Sequence, residues 1–353
     1  MRRAAEGREW ARRHAPLTAE QEASARVEIG RVRRSADHER GVAKAMQERV
    51  DELEAALRVA LDLDRPLPAA PVVARRTAGP RKEACPVLVA SDWHVEERVD
   101  PATVNGLNEY SPDIARKRAR RFTEGCLWLL ETHRAGATVH EAVLAVLGDM
   151  ISGWIHEELR SETALRPTEA VLLAQELLHE CIVTILARAR LRLLRVVCKS
   201  GNHARTTDKV YHAAGQRMTY EWLMYRALAS AFKKDRRVQV VVEDGYHTYL
   251  PVYDTILRLH HGNSFNFAGG VGGIVIPLKK AIHEWNVGRH ADFDILGHWH
   301  GYEPSTRFLM NGSLIGHSAF AIRHRFPYQP PRQGFVLVRP GRGVSALAPV
   351  FVT

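Results

Sequence analysis

Cysteine is scarce in this chain: Cys85, Cys126, Cys181 and Cys198 stand singly, with no CxxC pair. Neither a disulfide framework nor a thiolate metal knot is therefore encoded, and the four thiols read as reduced core residues of a reducing compartment. Also missing is any stretch approaching the roughly 20 uninterrupted apolar residues that span a bilayer. The Arg-rich start, Met1 to His14, lacks the apolar core of a signal peptide, so the cytoplasm is the expected location and no membrane partner is expected. Acid is the minority charge: 40 Asp and Glu against 50 Lys and Arg give a net charge of +10, which suits a phosphate-rich partner such as DNA or RNA. With 45% hydrophobic and 25% charged residues, a disordered or fibrous chain is excluded.

The spacing of apolar residues predicts three regions. Residues 1–62 form a helical arm, opened by a Thr18–Gln21 capping box and striped by Val42, Met46, Val50, Leu53, Leu57 and Leu61 at intervals of three and four. Such a stripe packs on its own domain, or joins a partner helix or a second copy in a short coiled coil, giving a homodimer. Pro66, Pro68, Pro71, Gly79 and Pro80 then mark a linker over 63–85. A mixed α/β domain follows over 86–353. Strands are predicted at 87–90, 142–147, 194–198, 238–242, 255–259, 293–296 and 335–338. Pro112, Pro167 and Pro277 each open a helix, and Asp244-Gly245 signals a hairpin.

Polar residues collect where these strands end, which is where α/β folds put their ligands. Val87 to Ala90 runs into Ser91, Asp92, Trp93 and His94; a second strand ends in Gly148 and Asp149; a third ends in Gly201, Asn202 and His203. Two more close on His260, His261 and Gly262, and on Gly297, His298, Trp299 and His300. Any one of these is an ordinary turn former or core histidine. Five in succession, however, supply the oxygen and imidazole mix that suits manganese, iron or zinc. On an extended chain the period of two would turn both side chains of Asp92-Trp-His94, and of His298-Trp-His300, toward one ion.

The order D-x-H, GD, GNH, HG, GHxH, followed by Asn311-Gly312-Ser313, resembles the calcineurin-like metallophosphoesterases over about residues 86–320, in wording closest to phage and prophage members. That resemblance implies a four-layer αββα sandwich, two mixed sheets flanked by helices. It implies two divalent ions, Mn2+ first and Fe or Zn as alternatives: Asp92, His94 and His300 on one, Asn202, His261 and His298 on the other, and Asp149 between. Two ions about 3.5–4 Å apart clamp a phosphoryl group and activate a bridging hydroxide for in-line attack. The resemblance implies that His203 touches the phosphate oxygens or protonates the leaving group, and His261 is preferred to His260 because it directly precedes Gly262.

Departures from the family are local. The acids that family members carry shortly after the bridging Asp and directly after GNH are absent, since the chain reads Met150-Ile151-Ser152-Gly153 and Ala204-Arg205. Arg205 is a candidate for binding a substrate phosphate. His156-Glu157-Glu158 reads as a charged helix start and Gly269 to Gly273 as a loop beside the site. Arg116, Lys117, Arg118, Arg120 and Arg121 form a candidate backbone track for nucleic acid. The leading expectation is a phosphodiesterase of nuclease type. A phosphomonoesterase or phosphoprotein phosphatase, and a catalytically silent scaffold, are the alternatives.

Overall fold

The computed structural model describes residues 83–353, apart from 214 and 267–272, and nine positions between Arg26 and Glu48, all nine of them helical. The Thr18–Gln21 cap, the Val42–Leu61 stripe, the linker through Lys82 and most of the Gly269–Gly273 loop lie outside the described residues.

Alternation along the strands builds the architecture. In β1 (Cys85–Ala90), Leu88 and Ala90 face one way and Val87 and Val89 the other, and all four are fully buried. A strand apolar on both faces must be covered on both. β1 pairs in parallel with β2 (Glu141–Val146), which pairs with β3 (Leu193–Cys198), which pairs with β4 (Val238–Val242). Antiparallel β10 (Arg332–Arg339) and β11 (Gly343–Phe351) extend the other edge, completing the first sheet in the order β11-β10-β1-β2-β3-β4. The second sheet runs β5 (Thr248–Val252), β6 (Thr255–His260), β7 (Phe293–Leu296), β9 (Phe308–Met310) and β8 (Glu303–Pro304).

Three apolar cores separate four layers. Helices α1 (Pro112–Arg134), α3 (Pro167–Arg188) and α4 (Tyr220–Ala231) cover the outer face of the first sheet through Phe122, Leu130, Leu177, Ile182 and Tyr225. Between the sheets lie Val87, Val143, Val197, Leu257, Ile295 and Val336. Beyond the second sheet, Leu278 and Ile282 of α5 (Val275–Gly288) pack on Leu296 and Phe308. Each such side chain contributes roughly 1.5–3 kcal/mol on burial. The expected sandwich of two mixed sheets flanked by helices is thus the observed one. α3 has the length and apolar composition of a membrane span, yet its apolar residues line the first core.

Helix starts follow the prolines closely. Pro112 sits in the first turn behind Ser111, whose hydroxyl accepts from the Ile114 amide, and Asp113 near the start and His133 and Arg134 near the end suit the helix dipole. α5 begins at Val275, two residues ahead of Pro277, within the first turn that tolerates the missing amide. The predicted hairpin at Asp244-Gly245 is not formed. β4 and β5, on either side of it, belong to different sheets, so this segment crosses between layers. The tight turn is instead Tyr253-Asp254, joining β5 to β6, with Tyr253 in the left-handed region at φ 56°. Pro251 escaped a strand reading, and it is accommodated because β5 is an edge.

Candidate metal centre

Ends of β1, β2 and β3 from one sheet and of β6 and β7 from the other meet at one rim of the sandwich. Backbone hydrogen bonds tie the loops of each sheet together, Asp92 N–H to Gly148 O (2.9 Å) and His94 N–H to Asp149 O (3.1 Å) in the first and Gly297 N–H to His261 O (2.8 Å) in the second, and Leu314 N–H to Asp92 O (3.0 Å) joins the two sets. Two glycines make the approach possible. A Cβ on Gly201 would overlap the Asp149 carboxylate, and one on Gly297 would overlap Asp92 Oδ2 and Ser91 Oγ, so each glycine lets a carboxylate lie against bare backbone.

Two groups of three donors result, Asp92 with His94 and His300, and Asp149 with His261 and His298, each with its ligand atoms within 4.8 Å of one another. Asp92 and His94 of the D-x-H pair do converge, but not by strand alternation, whereas the H-x-H pair divides, His300 joining one group and His298 the other. Asp92, His94, Asp149, His298 and His300 all adopt the left-handed backbone, with φ between 48° and 73°. In a non-glycine residue that conformation is strained, and it persists where surrounding structure over-determines it, characteristically at functional sites. The chain has left β1, β2 and β7 before it turns these side chains inward.

The hydrogen bonds fix which nitrogens are free. His261 Nδ1 is 2.7 Å from the Leu147 carbonyl, which can only accept, so Nδ1 carries the proton and Nε2 presents its lone pair. Facing that lone pair are Asp149 Oδ2 at 2.9 Å and Asn202 Oδ1 at 3.1 Å. Three acceptors converging on one point call for a cation or a proton. Burial alone would lower the His261 pKa, but the charge and hydrogen bond of Asp149 override it and push it to about 9. Asp149 correspondingly lies well below its usual range: burial opposes this, and the charges of His261 and His203 prevail. His298, half-buried beside His261, is pushed down to about 3 by desolvation and by the His261 charge and is neutral, as a ligand must be.

The other group is arranged in the same way. His94 Nδ1 donates to Ser152 Oγ at 2.7 Å, and the Ser152 hydroxyl donates to Glu97. That leaves His94 Nε2 facing His300 Nε2 at 3.2 Å, while His300 Nε2 lies 3.5 Å from Asp92 Oδ1. Glu97 Oε1 is itself 3.3 Å from His94 Nδ1. Asp92, fully buried, accepts from the His298 amide at 3.0 Å and from Ser91 Oγ at 2.5 Å. The donor set therefore fits two divalent ions of the manganese, iron or zinc kind, with carboxylate, amide oxygen and imidazole and no sulfur.

His203 stands at the edge of the cluster. Its amide donates to Asp149 Oδ1 at 2.9 Å, its ring lies edge-on to His94 at 5.0 Å, and its buried Nδ1 has no protein partner among the described residues. Burial holds its pKa down to about 4. A cavity of about 840 Å3 opens in front, lined by His94, Asp149, Asn202, His203, His298 and His300. His156 and Glu158, read from sequence as a charged helix start, do flank a short helix, α2 (Leu159–Glu162), and also line this cavity.

The geometry bears on three expectations, and two of them change, those for Arg205 and for the α1 arginines. Arg205 does not line the cavity: its guanidinium donates to the carbonyls of Asn202, Thr207 and Asp208 and so braces the loop that presents Asn202. His260 points to the opposite face of the second sheet, where it meets Asp294 and Trp285, which leaves His261 at the cluster. The arginines of α1 are spent internally. Arg116 and Arg120 pair with Glu176 and Glu180 of α3, Arg118 is buried on the carbonyls of Leu314 and Ile315, and Arg121 reaches the Val352 carbonyl. Only Lys117 of that five-residue track is exposed without a partner among the described residues.

Several supporting residues were missed. Glu221 of α4, fully buried, accepts from the amides of Met150 and Gly201 at 2.6 and 2.7 Å, and Glu96 accepts from those of Ser152 and Gly153. Gln333 of β10 accepts from the Ser91 amide at 2.9 Å and donates to the Gly312 carbonyl at 2.9 Å. These three shape the loops after β1, β2, β3 and β9. The adjacency of Glu96 and Glu97 to the D-x-H pair was the one signal in the sequence.

No protein-family model and no curated protein matches the chain. Among solved structures it is similar to Vps29 from Entamoeba histolytica complexed with Zn2+, at 12% identity over 75% of this chain and 99% of that one, with a TM-score of 0.29. Vacuolar Protein Sorting 29 from Cryptosporidium parvum follows at 12% identity, 76% and 98% coverage and a TM-score of 0.31. The phosphoesterase YfcE from E. coli stands at 15% identity, 75% and 99% coverage and 0.30.

Proposed function

We propose that this protein is a phosphoesterase that uses two divalent ions, with phosphodiesters, nucleic acid foremost, as its substrates. The observation that carries the reading is the pair of donor groups, Asp92/His94/His300 and Asp149/His261/His298, side by side at the floor of one open cavity. Asp92, His94 and His300 would hold one ion, His261, His298 and Asn202 the other, and Asp149 would be shared. When bound, such a pair activates water at neutral pH and offsets the charge that develops on a phosphoryl group in flight. Manganese is the proposed metal.

The chain's own groups do the remainder. Left-handed backbone and the Gly201 and Gly297 contacts hold the donors in place before substrate arrives, so little reorganisation is needed at the moment of reaction. His203 stands at the rim with its buried Nδ1 unpartnered among the described residues, within reach of the phosphate oxygens or of a leaving alkoxide, and substrate charge beside it would favour its protonated, donating form. A net charge of +10 favours a polyanionic substrate over a small monoester.

The decisive experiment compares bis-p-nitrophenyl phosphate with p-nitrophenyl phosphate under added manganese. The diester is expected to turn over and to depend on the metal, and His203→Ala should lower kcat by about 10^2- to 10^4-fold with both ions still bound. Robust monoester turnover with an inert diester would overturn the substrate class. Loss of bound manganese in His203→Ala would make His203 a ligand instead.

A further inference from the structure

The arginines of α1 being spent, the basic surface available to a substrate lies elsewhere. Facing the metal centre across the cavity is the segment Ser318–Phe326, which contains the short helix α6 (Ala319–Arg323). Phe320 on it is 54% exposed, large for a phenylalanine ring lining a cavity. Its ring lies 4.2 Å from that of His324, at 41°, and 6.1 Å from that of Phe326. Arg323 and Arg325, exposed on either side of His324, have no ion-pair partner among the described residues. This wall is aromatic and cationic. Asp100, Glu158 and Glu162 line the same cavity, as does Arg98.

We infer that Phe320, with His324 and Phe326 beside it, is a stacking platform for a nucleobase next to the scissile phosphate, with Arg323 and Arg325 on the flanking phosphates, and that the substrate is single-stranded. The inference rests on the phosphodiesterase reading and adds what selects the strand. An exposed aromatic face gains by covering itself with another π-face, and any base offers one. Bases inside a duplex are already stacked and paired, whereas those of a single strand are free to splay out onto a protein ring. A cavity of about 840 Å3 is the size of a small-molecule pocket and admits the groups around one phosphate rather than a helix.

Binding separates this inference from the catalytic one. The full chain is titrated with a short fluorescein-labelled oligothymidylate, with a strand of the same length carrying abasic residues, and with a duplex, in EDTA so that nothing is cut. Wild type is expected to bind the base-bearing strand about 10- to 100-fold more tightly than the abasic strand, which has the same phosphates. Phe320→Ala should shrink that ratio to near one, and Phe320→Trp should keep it. Arg323→Ala should weaken both strands alike and reduce the salt dependence of binding by about one ion. A wild-type ratio near one, a ratio unchanged by Phe320→Ala, or a duplex bound as tightly as the single strand would overturn the platform. Base-selective binding without hydrolysis of bis-p-nitrophenyl phosphate would leave the platform standing and remove the catalytic reading. Hydrolysis without base selectivity would do the reverse.

Discussion

His94 shows how a ligand is held from behind. Its Nε2 faces the cluster because its Nδ1 proton is engaged by Ser152, and Ser152 is held in turn by Glu97. Glu97 is pulled down to about 2 against its burial, mainly by its hydrogen bond to His94 and by the charge there, so it is a carboxylate throughout the working range. Glu97→Gln keeps the shape and removes the charge. Manganese affinity should fall about 10- to 100-fold in a competition titration with a metal-sensitive dye; unchanged affinity would reduce Glu97 to a cavity-lining residue. The ligands themselves were legible because each follows the end of an apolar run, and Asp149, Asn202, His261, His298 and His300 also adjoin a glycine. Their supports were not. Gln333 lies 242 residues from Ser91, and Glu221 lies 71 from Met150. No local pattern relates residues so far apart. The convergence of Asp92 with His94 was anticipated for the wrong reason, since φ of 55° and 48° replaces the extended backbone that the period of two assumes.

At the scale of elements, β6 and β7 carry different chemistry on their two faces. Toward the first sheet they present Leu257, Leu259, Phe293 and Ile295. Toward α5 they present Arg258 and Asp294, paired at 2.6 Å with almost no exposure, and His260. Trp285 of α5 covers them together with His247, whose ring centroid is 4.5 Å from its own. Burial, then the neighbouring His260 and Arg258, pushes His247 down to about 3. A histidine held neutral in the fold but free to protonate when unfolded contributes stability that is fully present above pH about 6.5 and is lost as pH falls toward 3. His247→Phe should flatten this part of the curve, measured as the difference in urea midpoint between pH 7 and pH 5 for the two proteins in EDTA. Parallel curves would remove His247 from the account. Those elements were legible where apolar runs were continuous, as in β1 and β2. β5 was hidden by its proline, and β8, with two residues, is too short to carry a period.

For the molecule as a whole, each donor group draws on both sheets. Asp92, His94, Asp149 and Asn202 leave the first, and His261, His298 and His300 leave the second. Ions bound there would be linked to folding, because no unfolded chain assembles such a set. Adding EDTA to the metal-loaded protein should lower Tm, and manganese titrated back should raise it in proportion to the logarithm of its concentration. A Tm indifferent to both would mean that no ion joins the sheets. The loop contacts across the rim have a further consequence. The sheets touch through apolar side chains that could slide, and sliding by one residue displaces a strand by about 3.3 Å, more than the 2.9 Å between His261 and Asp149. The centre therefore acts as a gauge of alignment: only one setting of the two sheets brings its marks into coincidence, and any change in the intersheet core that shifts that setting should be read first as a change in metal binding.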